Sequence, residues 1–527
     1  MVVVEFAYKD MKKLVDIPRE KMVATLSDLG APSEYEPEVD KIISELTPNR
    51  PDWYSMEGLA RALRAYLFNE LPQYKTKKSD YKIVVDSSVA KIRPFTVCAV
   101  VVGLKLNDER IRDMVLLQEK LLATLGRRVK RFGLGLYPLE AIRFPVRYTT
   151  MKPADIRYVP LGSDKEMGAE DILENHKKGQ QYGHLIKGHD RYPVFIDATN
   201  KVMALIPIVN SAETGKVDVN TKDLFIEVSG TDMNACKAAL NIFACTFIDM
   251  GGDVLEVNME YGKERFASPD LHKKKMSLDL KKVNKILGVK LSERQVGILL
   301  TKMGYEYTRG KVDVPPYRAD VMGLVDIVED IAIAYGYNNF EASIPDFFSP
   351  GSAISTYDSF DQIMRGMGFM EAKTFILTNK ERLGQIGNAQ GVVEISNPGT
   401  VDYTVVRPSL ILDMLETFRI NKMKGLPQKF YEIGIVRDGK TSTTRLVFGL
   451  MDKKIEFAHA KGFLQTLCFE KGIKFGLSKK SMQIFDPDMS CSIVSGGKDI
   501  GVFGRVNRSV LEKMGLGFDV YICEMRI

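Results

Sequence analysis

Two adjacent prolines, Pro315 and Pro316, constrain the fold of their segment more than any other feature of this sequence. Neither residue can donate a backbone hydrogen bond, and a helix cannot continue through them, so any helix must begin after Pro316. Over residues 321–335, apolar residues recur at the three- and four-residue spacing of a helix. The sequence therefore predicts an amphipathic helix that begins soon after the prolines.

Acidic residues surround the start and the polar face of this predicted helix. They are Asp320, Asp326, Glu329 and Asp330. Asp320 is expected near the helix entrance, where unpaired backbone N–H groups favour a negative charge, and the other three predict an acidic stripe. Such a stripe is typical of a solvated surface, but hard cations such as magnesium also prefer clustered oxygen ligands. Spacing alone leaves both interpretations open.

Strand and helix patterns that end at glycines or polar segments divide the chain. With 527 residues, 45% of them apolar, it can form roughly three to five domains, each with a core. The patterns predict a multidomain α+β fold with domains at residues 1–84, 85–268, 269–346 and 347–527. We expect an α+β first domain, a large mixed α/β second domain, a small helix–hairpin third domain and a last domain of helices and strands.

The first domain contains a predicted helix after the turn at Asp52. Asp52 is placed to cap this helix, and Glu57 and Arg61 are spaced to form an i,i+4 ion pair. Its predicted buried face consists of Met56, Leu59, Leu63 and Leu67.

The sequence of the third domain predicts its individual strands and helices. We predict a strand over residues 277–280, a helix that ends at Gly288, and a second helix opened by a capping box between Ser292 and Gln295. A hairpin with its turn at residues 309–310 then leads to the prolines. In the last domain, helices are predicted over residues 355–367 and 409–421, and strands over 429–436 and 445–451.

The net charge of +6 rests on 74 basic and 68 acidic residues, which permits an anionic partner without requiring one. Two basic runs, residues 127–131 and 273–275, are candidates for phosphate contact, although such runs are more often simply solvated. The six cysteines show no zinc-site spacing, and no apolar run approaches the roughly 18 residues of a membrane span. We therefore expect a soluble, intracellular protein with reduced cysteines and no membrane contact.

Several segments resemble one protein family, at compatible separations. They are Pro48-Asn49-Arg50-Pro51-Asp52, Tyr182-Gly183-His184-Leu185, Pro207-Ile208-Val209-Asn210-Ser211, Gly230-Thr231-Asp232, the segment 314–336, and Tyr403-Thr404-Val405-Val406-Arg407. The family is the phenylalanyl-tRNA synthetase beta subunit of archaeal and eukaryotic-cytosolic type, and the resemblance covers essentially the whole chain. It implies a cytoplasmic alpha-two, beta-two enzyme that charges tRNA(Phe), with phenylalanine activation by ATP on the alpha subunit.

The last domain resembles a class II synthetase catalytic fold, which implies an antiparallel sheet. Residues 430–434 and 501–506 occupy the regions of two catalytic motifs, but neither segment carries the full set of arginines that hold ATP phosphates. Arg505 is wrongly spaced from the glycines for this role. The resemblance therefore implies a catalytically silent copy that pairs with the alpha subunit.

The resemblance also implies that the second domain hydrolyses mischarged tyrosyl-tRNA(Phe). Asn210 and Glu227 are the polar candidates for catalytic residues of this editing site, and Phe195, Ala204 and Ser211 are candidates for substrate binding. Ala204 stands where serine is common in the family, and Glu227 where aspartate is common. In the alternative interpretation, Asn210 only shapes a turn and Glu227 lies on the solvated face of a strand.

For the third domain the resemblance implies a small DNA-binding-like module with a magnesium site. Asp320, Asp326, Glu329 and Asp330 match the family's site residue by residue, and the ion is expected to be shared with the alpha subunit. Two other functional classes stay open for the whole chain: a free-standing aminoacyl-tRNA deacylase, and a non-enzymatic tRNA-binding scaffold.

Overall fold

The computed structural model describes residues 2–344, 351, 357–387, 390–439 and 441–527. The chain divides into two compact units, Met1–Ile344 and Pro345–Ile527. Separate sheets with flanking helices confirm the predicted multidomain α+β class. No helix among the described residues is long and apolar enough to cross a membrane. All six cysteines are free thiols, and all except Cys491 are buried.

A three-stranded antiparallel sheet opens the first unit. Its strands are β1 (Val2–Ala7), β2 (Ser33–Glu36) and the central β3 (Lys41–Leu46), and its helices are α1 (Tyr8–Leu14), α2 (Arg19–Asp28) and α3 (Met56–Phe68). The prediction that Asp52 caps α3 is wrong, because the Ser55 hydroxyl accepts the hydrogen bond from the Gly58 N–H at 3.1 Å. The Asp52 carboxylate pairs instead with Arg50 at 2.8 Å.

Arg61 and Glu57 on α3 are both buried and do not form the predicted ion pair. Arg61 is 2% exposed; it donates to Asp249 at 2.8 Å and to the Tyr74 hydroxyl at 3.0 Å. Its guanidinium also lies 3.9 Å from the centre of the Tyr317 ring. Glu57 is enclosed separately, and burial raises its pKa to about 7. The predicted ion pair between Glu57 and Arg61 is therefore wrong, since other elements of the unit cover this helix.

A ten-stranded sheet forms the centre of the first unit. The strands of this region are β4 (Lys82–Val85), β5 (Phe95–Val102), β6 (Phe132–Pro138), β7 (Val146–Met151), β8 (Arg157–Tyr158), β9 (Met167–Gly168), β10 (Tyr192–Ile196), β11 (Val202–Leu205), β12 (Val209–Asn210), β13 (Leu224–Gly230), β14 (Asp253–Tyr261) and β15 (Glu264–Ser268). The order is β12-β11-β10-β7-β4-β14-β5-β13-β6, with β15 beside β14, while β8 and β9 form a separate pair. Only β4 pairs in parallel, with β7 and β14, so the sheet is mixed.

Helices cover this sheet. They are α4 (Asp108–Ala123), α5 (Ala169–Asn175), α6 (Lys177–Tyr182), α7 (Ala212–Gly215) and α8 (Met233–Asp249). The apolar α8 packs against β5 and β13. The sheet curls until its two end strands approach each other: Asn210 of β12 donates from Nδ2 to the Leu136 carbonyl of β6 at 3.4 Å.

A small antiparallel sheet completes the first unit. Its elements are β16 (Lys274–Ser277), β17 (Glu306–Thr308), β18 (Lys311–Val314), α9 (Leu280–Leu287), α10 (Glu293–Lys302) and α11 (Leu324–Tyr335). The predicted hairpin, the capping box of Ser292 and Gln295, and the helix end at Gly288 are confirmed. The strand predicted over residues 277–280 ends earlier, because Asp279 caps α9.

The second unit is built on a seven-stranded sheet. The strands of the unit are β19 (Met370–Glu371), β20 (Leu377–Thr378), β21 (Val405–Val406), β22 (Gln428–Asp438), β23 (Thr441–Asp452), β24 (Gly476–Lys479), β25 (Phe485–Ser495), β26 (Lys498–Val506) and β27 (Asp519–Arg526). Its helices are α12 (Asp358–Gly366), α13 (Lys380–Gln385), α14 (Ile411–Asn421), α15 (Phe457–Glu470) and α16 (Arg508–Lys513). The order is β19-β22-β23-β27-β26-β25-β24, antiparallel except for β19 with β22, and β20 pairs with β21. Residues 355 and 356 of the predicted helix 355–367 lie outside the described residues.

Candidate functional site

A cavity of about 280 Å³ lies where the two end strands of the ten-stranded sheet meet. Its wall includes Gly133 of β6, Glu227 of β13, Asn210 of β12 and Lys178 of α6. The structure therefore brings together the two polar residues that the sequence predicts for an editing site. We call this space the edge cavity.

Glycines on β6 make room for the edge cavity. Gly133, Gly135 and Tyr137 alternate along the strand and share one face. A Cβ atom on Gly135 would lie 2.7 Å from the Tyr137 hydroxyl oxygen and 2.8 Å from Oε1 of Glu227. One on Gly133 would lie 2.8 Å from Cβ of Pro207. A side chain at either position would therefore force the end strands apart or displace the carboxyl group.

Glu227 is a buried carboxyl group, 2% exposed, and not a residue on a solvated strand face. Its Oε2 accepts a hydrogen bond from the Ser229 hydroxyl, and the Tyr137 hydroxyl contacts its other side. Burial raises the pKa of Glu227 to about 7, although Ser229, Arg93 and Tyr137 partly offset this effect. Both protonation states are therefore accessible near neutral pH.

Tyr137 links Glu227 to Asn210. Its hydroxyl donates to Oδ1 of Asn210 at 3.1 Å and lies beside Glu227. A hydroxyl has one proton and can serve only one of these acceptors at a time. When Glu227 is protonated it can donate to Tyr137, which leaves the Tyr137 proton for Asn210; when Glu227 is ionised it attracts that proton itself. The charge of Glu227 thus determines whether Asn210 receives the hydrogen bond from the Tyr137 hydroxyl.

The sequence interpretation missed Tyr137, Ser229 and Arg93. Arg93 is 2% exposed and donates to the carbonyls of Val129 and Ser229, both at 3.1 Å. The alternation of Gly133, Gly135 and Tyr137 on one strand is the local sequence signal for the close approach of the two end strands. Nothing in the sequence marks Arg93, which precedes β5 and acts through backbone carbonyls.

The other predicted substrate-binding residues lie behind the wall of the edge cavity. Phe195 is fully buried and stacks on Tyr148 with 4.8 Å between the ring centres. Ala204 is buried and pairs with both Phe195 and Asn210 across the sheet. Ser211 is buried and caps α7 by accepting from the Glu213 N–H at 3.2 Å. All three support the strand that carries Asn210, and direct substrate contact by them stays a prediction.

Residues 126–131, here called the basic loop, connect α4 to β6. Arg127, Arg128 and Val129 have φ values of 49°, 54° and 66°, so three consecutive residues other than glycine are left-handed. Left-handed backbone costs roughly 1–2 kcal/mol per residue. Three features offset this cost: the Val129 side chain is 1% exposed, Arg93 holds its carbonyl, and Arg131 pairs with Asp232 at 2.6 Å.

The basic loop borders the edge cavity directly. Val129 is part of the cavity wall, while Arg127, Arg128 and Lys130 are exposed. The far end of the loop approaches Gly230 so closely that a Cβ atom there would lie 2.0 Å from the Arg131 carbonyl oxygen. The loop is therefore held at the cavity through Val129 and against Gly230 at its far end.

The four carboxylates predicted near α11 do not share one site. Asp320 forms a bidentate salt bridge with Arg318, whose Nε and Nη2 donate to its two carboxylate oxygens at 2.9 and 2.7 Å. Burial alone would raise the pKa of Asp320, but Arg318 outweighs it and holds this pKa below its ordinary value. Asp330 is 5% exposed, accepts from Arg318 at 2.7 Å and also bonds the Tyr305 hydroxyl. Arg318 thus occupies the space between these two carboxylates.

Asp326 and Glu329 have different surroundings from the first pair. Asp326 accepts the backbone N–H groups of Met322 and Gly323 at 2.8 and 2.7 Å, so it takes the helix-entrance role predicted for Asp320. Glu329 is exposed. The predicted stripe is therefore wrong at Asp330, which faces inward. Among the described residues, no three His, Cys, Asp or Glu side chains are placed to hold a metal ion, so these four do not fit one in this arrangement.

Three arginines of the second unit are paired with carboxylates. Arg407 is 2% exposed and contacts Asp413 and Glu432, both at 3.0 Å. Arg445 pairs with Glu524 at 2.6 Å. Arg505, on β26, pairs with Asp486 near the surface. Each of these three arginines therefore already has a carboxylate partner.

Known families match both units. A family model of the tRNA synthetase B5 domain matches residues 276–337, and one of the phenylalanyl tRNA synthetase beta chain CLM domain matches residues 351–527. The phenylalanine–tRNA ligase beta subunit of Archaeoglobus fulgidus is 35% identical and covers 100% of this chain and 98% of its own length. That of Thermococcus kodakarensis is 34% identical, with 90% and 89% covered.

A solved structure resembles the first part of the chain. It is an N-terminal fragment of the phenylalanyl-tRNA synthetase beta subunit from Pyrococcus horikoshii, with 33% identity and a TM-score of 0.60. The match covers 63% of this chain and 99% of that fragment. The Archaeoglobus fulgidus relative covers the whole chain and the fold match covers its first part, and the chain belongs to the phenylalanine–tRNA ligase beta subunit family.

Proposed function

We propose that this chain works as the beta subunit of an alpha-two, beta-two phenylalanine–tRNA ligase in the cytoplasm. The alpha subunit activates phenylalanine with ATP and magnesium, and the complex charges tRNA(Phe). The ion pairs of Arg407 and Arg445 with carboxylates support a second unit that does not bind ATP itself. The unit then serves as the partner surface for the alpha subunit.

We further propose that the edge cavity hydrolyses tyrosyl-tRNA(Phe). One observation carries this proposal: Asn210 and Glu227 line the same cavity and are joined through the Tyr137 hydroxyl. A phenolic hydroxyl that enters the cavity meets polar partners, whereas phenylalanine leaves them unmatched, which is the basis of strong discrimination. A carboxyl group with a pKa near neutrality is also suited to move a proton during ester hydrolysis.

The rate of tyrosyl-tRNA(Phe) hydrolysis by the assembled complex tests this proposal. We expect Asn210→Ala to slow hydrolysis strongly while phenylalanine charging by the same preparation is unchanged. Asn175→Ala, at an exposed asparagine on α5, is the matched control and should behave like the wild type. Equal hydrolysis by all three proteins would reject the assignment.

The two alternative functions predict different results in the same assay. A free-standing deacylase would hydrolyse tyrosyl-tRNA at full rate without the alpha subunit. A non-enzymatic scaffold would bind tRNA in a salt-sensitive manner without accelerating hydrolysis.

A magnesium ion shared with the alpha subunit remains a proposal for Asp320, Asp326, Glu329 and Asp330. The described geometry does not provide an ion site by itself, because Arg318 holds Asp320 and Asp330. Binding would require the alpha subunit to change this pairing. Metal content, measured on the isolated chain and on the complex, tests the proposal: metal in the complex that disappears in Glu329→Gln would support it, and none in either would reject it.

A further inference from the structure

We propose that the basic loop is a phosphate clamp that holds the single-stranded 3′ end of the RNA while its terminal ester occupies the edge cavity. This inference rests on the proposed ester hydrolysis and adds the residues that hold the RNA backbone. The exposed cations of the clamp are Arg127, Arg128 and Lys130.

The size of the edge cavity places the phosphates outside it. Its volume of about 280 Å³ lies just below the roughly 300–1,000 Å³ typical of small-molecule sites. Such a space suits an amino-acid side chain and its ester with the terminal sugar, but not a run of nucleotides. The phosphodiester groups that precede the 3′-terminal sugar must therefore lie along the rim.

The basic loop supplies uncompensated positive charge at that rim. Val129 is a wall residue, and its chain neighbours Arg128 and Lys130 are exposed. The side chains of Arg127, Arg128 and Lys130 form no ion pair and no hydrogen bond with any described residue. The nearby cations Arg131 and Lys178, in contrast, have carboxylate partners, Asp232 and Glu119. Arginine forks match phosphate oxygens in geometry as well as charge.

The loop is also preorganised for this role. Its left-handed backbone is held by Arg93 at the Val129 carbonyl and by Arg131 at Asp232. The Gly126 carbonyl accepts from the Arg131 N–H at 2.9 Å, which closes the loop. A rigid loop loses little backbone freedom when it binds, so its cations can act without a folding cost.

The test uses the complex and the triple variant Arg127→Gln, Arg128→Gln, Lys130→Gln. Two substrates are compared: tyrosyl-tRNA(Phe) and 3′-O-tyrosyl-adenosine, which has no phosphate. For tyrosyl-tRNA we expect KM to rise roughly tenfold at low salt with kcat unchanged. The slope of log KM against log salt should fall by roughly 2, since each single-strand phosphate contact contributes about 0.7. Hydrolysis of the adenosine ester should not change.

A charge-matched control removes Lys9, Lys12 and Lys21, three exposed lysines far along the chain from the loop, and should leave the salt slope unchanged. A second variant, Arg128→Glu with Lys130→Glu, should raise KM in the same direction.

Three outcomes would overturn the inference. An unchanged KM and salt slope for tyrosyl-tRNA, with both substrates hydrolysed, would reject the clamp while the proposed hydrolysis stands. Equal loss on both substrates would mean that the loop shapes the cavity and does not hold phosphate. A wild-type complex that hydrolyses neither substrate would reject the proposed function and the clamp with it.

Discussion

Glu227 has two hydrogen-bonding states, and the Tyr137 hydroxyl responds to both. Burial raises the pKa of this carboxyl group to about 7, so its neutral form is favoured below that pH. Ionisation draws the Tyr137 proton away from Asn210, the other residue of the proposed editing site. At the scale of single residues, the site is therefore expected to be sensitive to pH near neutrality.

Tyr137→Phe tests this coupling. The wild-type pH profile of tyrosyl-tRNA hydrolysis should show an inflection near pH 7. The variant lacks a hydroxyl that helps stabilise ionised Glu227, so its inflection should move to higher pH, and its rate should fall because Asn210 loses a partner. An unchanged profile would mean that Tyr137 only fills space.

Glu227→Gln tests the burial of the carboxyl group through stability. The pKa of Glu227 is raised from 4.5 to about 7, so the native state keeps a proton that the unfolded chain has lost within this window. Stability from this group is fully present below about pH 4.5 and declines as pH rises towards 7, by roughly 3 kcal/mol in total. Unfolding by urea at pH 5 and pH 8 should show a smaller decline for the variant than for the wild type. Equal declines would contradict the assignment.

Sequence patterns identified Asn210 and Glu227 but not their surroundings. Residue type and the family resemblance suffice to nominate polar candidates. The burial of Glu227 depends on which strands pair around β13, and the contact with Tyr137 depends on the closure between β12 and β6. Such long-range pairings leave no mark at the residues themselves.

At the scale of elements, helix starts show how local signals compete. Ser55, not Asp52, caps α3, and Asp326, not Asp320, accepts the backbone N–H groups just before α11. In both cases a nearby arginine, Arg50 or Arg318, already holds the aspartate that was predicted at the helix start. A capping prediction from sequence cannot weigh an ion pair of this kind. The capping box of α10, which has no such competitor, was predicted correctly.

Asp326→Ala tests the capping role. Loss of two backbone hydrogen bonds at the start of α11 should lower the free energy of unfolding by about 1 kcal/mol. Glu329→Ala, on the exposed side of the same helix, should change it by less than about 0.5 kcal/mol. Thermal unfolding of the two variants beside the wild type makes the comparison. A larger loss for Glu329→Ala would show that the acidic face has a role that capping does not explain.

At the scale of the whole molecule, sequence periodicity was sufficient for the α+β class and for many individual elements. It was not sufficient for the order of the strands in the ten-stranded sheet, where β14 enters between β4 and β5. It also did not predict that Arg61, Asp249 and Tyr317, distant in the chain, would share one buried cluster. The edge cavity exists because of that topology, so its position could not be derived from any one segment.

The dependence of catalysis on an alpha subunit is the central claim, and phenylalanine-dependent ATP–pyrophosphate exchange measures it most directly. The assay compares this chain alone, a phenylalanyl-type alpha subunit alone, and the purified complex. We predict exchange only by the complex, because Arg407 and Arg445 of the second unit are already paired with carboxylates. Exchange by this chain alone would contradict the account of a silent second unit, and a complex that fails to form would contradict the assignment as a ligase subunit.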